Sequence, residues 1–416
     1  MGDIQEQLAT LRRRIARIDR KYAAAPRPTP APRPDSRPVR YHIDEWCEGA
    51  EIETEFGRHF ETERLYERHK RHGSMEISSL EDLPGDLLAV ISDVAVNSPP
   101  SRWAFLDTET TGLAGGTGTY AFLIGVGRIA PDGFRVRQFF MRDYGEEASL
   151  LDALTRHLAG FDVLVTYNGK TYDAPLLETR FRMARSKPPF ARMEHVDLLY
   201  AARRLWRLRF ESCRLVDLEQ QVLGFERLGD VAGELIPYLY FEYLRTREAL
   251  RLAPVFHHNA TDILTLACLA GIVPLAFRSP AEAALLHGAE MVGLARWLRQ
   301  AERYDDAATL FRRAIDRGLP DELLFRTMWD LAMIEKRQGR EQAALAVFSD
   351  LAAARNPYRV AALEELAKHY EHRERNYAMA LEMTCLALSL EDTPALRRRE
   401  TRLRTRLAVP RPRRLL

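Results

Sequence analysis

Between residues 103 and 167 short apolar runs alternate with polar breaks at the lengths of strands rather than helices. The first run, Trp103-Ala104-Phe105-Leu106, stops at Asp107-Thr108-Glu109. Residues 120–129 and 134–142 predict two more strands, joined by turns short enough for an antiparallel meander. Residues 146–158 change to helical spacing, and residues 163–167 return to a strand that can join the sheet in parallel after that crossover. From there the pattern is mainly helical. Upstream, residues 41–98 carry apolar stretches and a His72-Gly73 turn signal, which predict a small α/β lead-in to the sheet. The expectation is an α/β mixed sheet with helices, followed by an all-α helical repeat domain.

Two other rhythms mark the ends of the chain. Over residues 1–22, Ile4, Leu8, Leu11, Ile15 and Ile18 follow alternating steps of four and three, a short heptad seam. Residues 23–40 are rich in proline and arginine and predict an extended linker. Residues 41–280 then hold the sheet and its lead-in. Over residues 285–395 strands disappear, and Pro320, Pro357 and Pro394 recur at an interval of 37. Phe311, Phe348 and Cys385 keep the same interval, and Ala307, Ala344 and Ala380 nearly do. About three helix–turn–helix repeats fit this spacing, slightly longer than the usual tetratricopeptide repeat. Such an array offers a groove for a protein partner, or it caps the preceding domain. Residues 396–416 form a basic tail, in which 397–414 carry nine arginines against one glutamate.

The 416 residues suffice for two or three domains, and 46% hydrophobic content supports real cores. A formal charge of +2 is too near zero to point to nucleic acid by itself. Arg203-Arg204-Leu205-Trp206-Arg207-Leu208-Arg209-Phe210 mixes cations with aromatics, as a strand-tracking groove does, although its apolar positions equally suit the buried stripe of a helix. The cysteines, at 47, 213, 268 and 385, lie too far apart for a zinc pair and read as free thiols in a reducing cytosol. No N-terminal apolar leader and no long apolar span is evident, so the expectation is a cytoplasmic chain without a membrane partner.

The candidate chemistry is acidic. Alternation along an extended chain puts Asp107 and Glu109 on one side, where two anions repel unless a cation separates them. Asp173 follows the Asn168-Gly169 turn at a strand-to-helix junction, a usual place for functional groups. His258 and Asp262 are four apart at the start of an apolar-periodic helix and share one face of it. Hard divalent ions such as Mg²⁺ or Mn²⁺ prefer such oxygen ligands. Singly, each acid reads more naturally as solvated, Asn168 as a turn former, Tyr172 as core packing, Thr110 and Thr111 as a polar turn, and Asp197 as a helix N-cap. Gly112 to Gly118 holds four glycines but lacks a phosphate-loop lysine, and predicts a hairpin loop.

Together, Asp107/Glu109, Asn168–Tyr172–Asp173 and His258–Asp262 resemble the three motifs of the DEDD-type 3′–5′ exonucleases, which have the ribonuclease H-like fold. Gly115–Tyr120, Asp197–Leu199, Arg203–Trp206, Ser212–Leu215 and Val255–Asn259 are similar to a narrower group, the YprB-like ribonuclease H-like proteins with a tetratricopeptide tail. Ala232 stands where that group leads one to expect proline. The resemblance implies a metal-dependent 3′–5′ exonuclease acting on single-stranded DNA or RNA. It implies two ions about 4 Å apart, held by Asp107, Glu109, Asp173 and Asp262, with a histidine as general base. His257 and His258 both occupy offsets used for that base, and helix geometry favours His258. Alternatives of the same chain are a structure-specific endonuclease and a non-catalytic adaptor that binds nucleic acid through one domain and protein through the other.

Overall fold

The computed structural model describes residues 42–92, 96–112 and 118–408. The heptad helix expected at 1–22, the linker at 23–40, most of the Gly112–Gly118 loop and the end of the basic tail lie outside the described residues.

A seven-stranded mixed sheet carries the fold, in the order β1 (Ala50–Thr54), β2 (Gly57–Glu67), β7 (Gly133–Phe140), β6 (Ala121–Ala130), β5 (Trp103–Thr110), β8 (Val163–Thr166) and β9 (Glu194–Asp197). β3 (Arg71–His72) and β4 (Met75–Glu76) form a separate hairpin around Gly73, whose φ is +59°. β5, β6 and β7 pair antiparallel, as the short turns predict. β8 joins β5 in parallel, with Trp103 opposite Val163 and Phe105 opposite Val165. The lead-in is more than an appendage, since β2 pairs with β7 from Phe60 to Glu67 and extends the sheet by two strands. β9, too short and polar at its start to stand out in the sequence, closes the other edge against β8.

Alternation on β5 divides the core. Trp103 and Phe105 pack with the long helix, while Ala104 and Leu106 pack on the opposite face among other helices. On that opposite face lie α1 (Glu147–Leu158), α2 (Asp173–Met183) and α4 (Ile236–Thr246), whose Leu154, Phe181 and Tyr240 share the second core. α3 (Leu198–Trp206) and α5 (Ala253–Arg278) cover the first. α5 corrects one expectation, because it is long and apolar enough to cross a membrane, with a mean hydropathy of 1.9. It is instead a central core helix, with 83% of that apolar window buried in the protein. It lies flat on the sheet because β6 offers glycine beneath it: a Cβ on Gly125 would stand 2.2 Å from Asn259 Oδ1 and 2.3 Å from Ile263 Cδ1.

A run of helices follows: α6 (Gly288–Gln300), α7 (Tyr304–Arg317), α8 (Asp321–Arg337), α9 (Glu341–Ala353), α10 (Arg359–His372), α11 (Tyr377–Leu390) and α12 (Pro394–Ala408). Ala307, Ala344 and Ala380, the small residues of the 37-residue rhythm, are all buried on α7, α9 and α11. Pro320 and Pro394 stand at the starts of α8 and α12, where a missing N–H costs nothing. The first core does not stop at α5. Leu294 and Leu298 of α6, Phe311 of α7, and Leu331 and Ile334 of α8 belong to the same buried cluster as Trp103 and Phe105. A distinct cluster around Phe348, Leu351 and Leu366 lies farther out.

Candidate active site

Three chain segments deliver acids to one region at the end of β5. Asp107 and Glu109 leave the buried part of β5 on the side that faces α5, the face shared by Phe105. A buried polar relay holds Asp107 in place. Asn259 Nδ2 donates to Asp107 Oδ2 at 2.9 Å, and Gln138 Nε2 donates to Asn259 Oδ1 at 2.9 Å. Thr62 Oγ1 in turn donates to Gln138 Oε1 at 2.9 Å. Asn259 is fully buried and Gln138 nearly so, so breaking any link strands a desolvated amide.

Asp173 opens α2 after a turn built by Asn168, whose φ of +66° is the left-handed conformation that asparagine tolerates. Asp197 braces that turn. Its carboxylate accepts from the Asn168 N–H at 2.8 Å, the Lys170 N–H at 3.1 Å and, as N-cap of α3, the Leu199 N–H at 3.1 Å. Thr108 Oγ1 then donates to Asp173 Oδ1, tying the second segment to the first. Thr110 and Thr111 are turn formers: Thr110 Oγ1 donates to the Gly112 carbonyl, and Thr111 Oγ1 accepts from Tyr120 N–H. Tyr172 does not pack into the core, for 59% of it is exposed beside Asp173.

His258 and Asp262 arrive from the first turns of α5. His258 Nε2 lies 3.6 Å from Asp262 Oδ2, and its Nδ1 lies 2.9 Å from Asp230. His257 points elsewhere, is exposed and pairs with Arg64 at 3.0 Å. The helix thus separates the two histidines, and His258 is the one among the acids. Arg227 was not foreseen. Its guanidinium ion-pairs with Asp262 and with Glu219, and reaches Asp230 at 3.2 Å. Glu219 is itself buried, 3.1 Å from His72. Glu219 and Asp230 lie near Arg227 in the sequence, but no sequence signal marks its place in the site, because that comes from Asp262 on α5.

The charges are out of balance. Burial raises the Asp107 carboxyl well above its ordinary range, and Asp262, Glu109 and Asp173 add repulsion. Burial also lifts Glu109 to about 8, with Asp262, Asp173 and Asp230 adding repulsion and His258 opposing them. Asp173 rises to about 6, chiefly through burial, while its bond from Thr108 pulls the other way. Burial disfavours a His258 cation, yet the Asp230 hydrogen bond and the charges of Asp262 and Glu109 prevail and raise it to about 9. Asp230 stays low, at about 2: its burial is outweighed by His258 and Arg227. Among the described residues no three His, Cys, Asp or Glu side chains form a ready-made cation cage. Arg227 supplies the positive charge at Asp262.

Comparison with known proteins agrees with this architecture. A family model described as RNase_H superfamily matches residues 104–273, the span from β5 through most of α5. The chain is 33% identical over 375 residues to the Uncharacterized protein YprB of Bacillus subtilis (strain 168), covering 88% of this chain and 86% of that protein.

Proposed function

We propose, for a chain that belongs to the ribonuclease H superfamily and to the same family as YprB, a divalent-metal-dependent 3′–5′ exonuclease of the DEDD type acting on single-stranded DNA or RNA. Superfamily membership supports a nuclease-type activity and a nucleic-acid substrate; the metal, the polarity and the residue roles are our reading. One observation carries it. Asp107, Glu109 and Asp173 are oxygen donors held near one another with their pKa values raised, short of the counter-charge that a hard cation supplies.

The donor set therefore fits Mg²⁺ or Mn²⁺, with Asp107, Glu109, Asp173 and Asp262 as the residues that would hold two ions. The chemistry such ions supply is activation of water and neutralisation of the leaving oxygen. The Asn259–Gln138–Thr62 relay orients Asp107. Asp230 orients His258 through Nδ1, leaving Nε2 directed at Asp262 and free to exchange a proton at the reacting centre. With its pKa at about 9 in the ion-free protein, His258 is an imidazolium at neutral pH. It becomes a general base once the neighbouring carboxylates are neutralised by another cation. Free cysteines, Cys268 buried among them, fit a reducing cytoplasm.

A non-catalytic adaptor is the second reading, favoured by the Arg227–Asp262 pair and the lack of a ready-made cage among the described residues. End-labelled single- and double-stranded DNA and RNA, offered with Mn²⁺ or Mg²⁺ to wild type and Asp107→Ala, separate the readings. A 3′-end ladder lost in the variant supports the exonuclease. Internal cuts lost in the variant replace it by an endonuclease. Folded protein that cuts nothing, or a variant that cuts as wild type does, overturns the proposed site.

A further inference from the structure

A cavity of about 790 Å³ opens between α3 and the first helices of the C-terminal run, and six arginines line it: Arg203, Arg204 and Arg207 from α3 and its C-terminal end, Arg296 and Arg299 from α6, and Arg326 from α8. The close packing is set by Gly293, where a Cβ would stand 2.5 Å from the Leu205 carbonyl oxygen. Little negative charge answers these cations. Asp197 on the wall already accepts three backbone N–H groups. Asp330 serves Arg299 at 2.6 Å and Arg296 at 3.4 Å. Arg203, Arg204, Arg207 and Arg326 are exposed and form no ion pair among the described residues. Arg296 Nη2 is buried with no hydrogen-bond partner, a costly state for a charged donor. Burial lowers the Arg296 pKa, Arg326 and Arg299 add to that, and the opposing pull of Asp330, shared with Arg299, does not offset them.

The cavity is not isolated. Arg203 and Arg207 also line an adjoining hollow of about 650 Å³, whose far wall includes Arg214. Arg214 in turn lines the pocket of about 900 Å³ that contains Arg227, His258 and Asp262. Aromatic rings line this route, with Tyr200, 52% exposed, in the arginine cavity and Phe210 in the adjoining hollow. Cations along a groove with aromatic rings suit a strand whose bases are unpaired and free to stack, and duplex bases are not.

We propose that these joined hollows are the path of a single-stranded nucleic acid, running from the acid cluster to the C-terminal helices. Arg203, Arg207, Arg296 and Arg326 bind its phosphates, and Tyr200 stacks on a base. The first C-terminal helices are then part of the substrate channel. The identity of the polymer rests on the nuclease reading above.

The test is fluorescence anisotropy of labelled oligonucleotides in EDTA, with one single strand long enough to span the three hollows and a trinucleotide. The variants are Arg326→Gln and Arg203→Gln/Arg207→Gln, all at exposed positions where folding is not at stake. Each lost contact lowers the salt slope by about 0.7 and, at roughly 0.1 M salt, weakens binding of the long strand about fivefold. The trinucleotide is unaffected. Tyr200→Ala weakens the single strand and not a duplex. Unchanged affinity and salt slope in both arginine variants overturn the channel. So does selective loss of an acidic-peptide ligand with intact oligonucleotide binding, which assigns the surface to a protein partner. Cleavage of the long strand in Mn²⁺ keeps the two proposals apart. Wild type that binds through these arginines but never cuts removes the nuclease reading alone, and arginine variants that cut at the wild-type kcat/KM remove the channel alone.

Discussion

Titrating the ion-free protein upward from pH 6.5 weighs the charge imbalance at Glu109. Its carboxyl is raised from an ordinary 4.5 to about 8, first by burial and then by the surrounding aspartates. The folded chain therefore keeps a proton that the unfolded chain has released, and stability falls as pH rises. That contribution is whole below 4.5 and is lost on the way up through about 8. His157 and His195 act with the opposite sign, being lowered to about 4 from 6.5, chiefly by burial, but their effect is complete by 6.5. Between 6.5 and about 8 the Glu109 share is one and a half pH units. At ~1.4 kcal/mol per unit this is about 2 kcal/mol. His258, raised to about 9, adds a loss of the same sign over a window reaching higher. Glu109→Gln isolates the first share. Urea-unfolding midpoints measured along this pH range in EDTA fall more steeply for wild type than for the variant. Millimolar Mn²⁺ flattens the wild-type curve, because a bound cation does the proton's work. Equal slopes in the two proteins, or a wild-type slope that Mn²⁺ leaves alone, refute the reasoning.

Gly125→Ala drives a methyl into Asn259 and Ile263, lifts α5 from the sheet, and costs ~1–3 kcal/mol; a thermal melt matching wild type contradicts this packing. Arg227→Ala strips the cation from Glu219, Asp230 and Asp262 and destabilises the ion-free protein by ~3–5 kcal/mol, while Mn²⁺ binds more tightly by calorimetry because its competitor at Asp262 is gone. Weaker Mn²⁺ binding in that variant counts against Asp262 as a ligand. Asp230→Asn removes the negative charge facing His258 Nδ1 and lowers the imidazole pKa from about 9 by ~1–2 units, read by NMR titration of the ring. An unmoved titration shows that Asp262 and Glu109 hold the cation without it.

The sheet from β5 to β8 was readable because alternation and turn chemistry are local. The acids at Asp107, Asp173 and Asp262 stood out for the same reason, each lying at a strand end, a turn or a helix start. What supports them was not readable. Gln138, Asn259 and Arg227 gain their meaning from partners on other segments, and an asparagine in an apolar helix carries no sign that it will meet Asp107. The span Arg203–Phe210 left two readings open, and the structure accommodates both: Leu205 and Trp206 are buried, while Arg203, Arg204 and Arg207 face the cavity. The apolar periodicity at the start of α5 does not disclose how long and apolar the helix is. Its burial comes from the sheet, α3 and the following helices packing around it, none of which its own sequence specifies.

The unbroken core from Trp103 to Ile334 limits how this architecture can be rearranged over evolutionary time. A domain joined by a linker can be shuffled, lost or borrowed, but a chain cut after α5 would lay bare the apolar faces that Leu294, Leu298 and Phe311 now cover. The array is rooted in the sheet at its near end. Its outer cluster around Phe348 and Leu366 is separate, so growth, shortening or divergence has room only at the tip. Lineages descended from such a fold are expected to vary in how far the array extends while keeping its first helices.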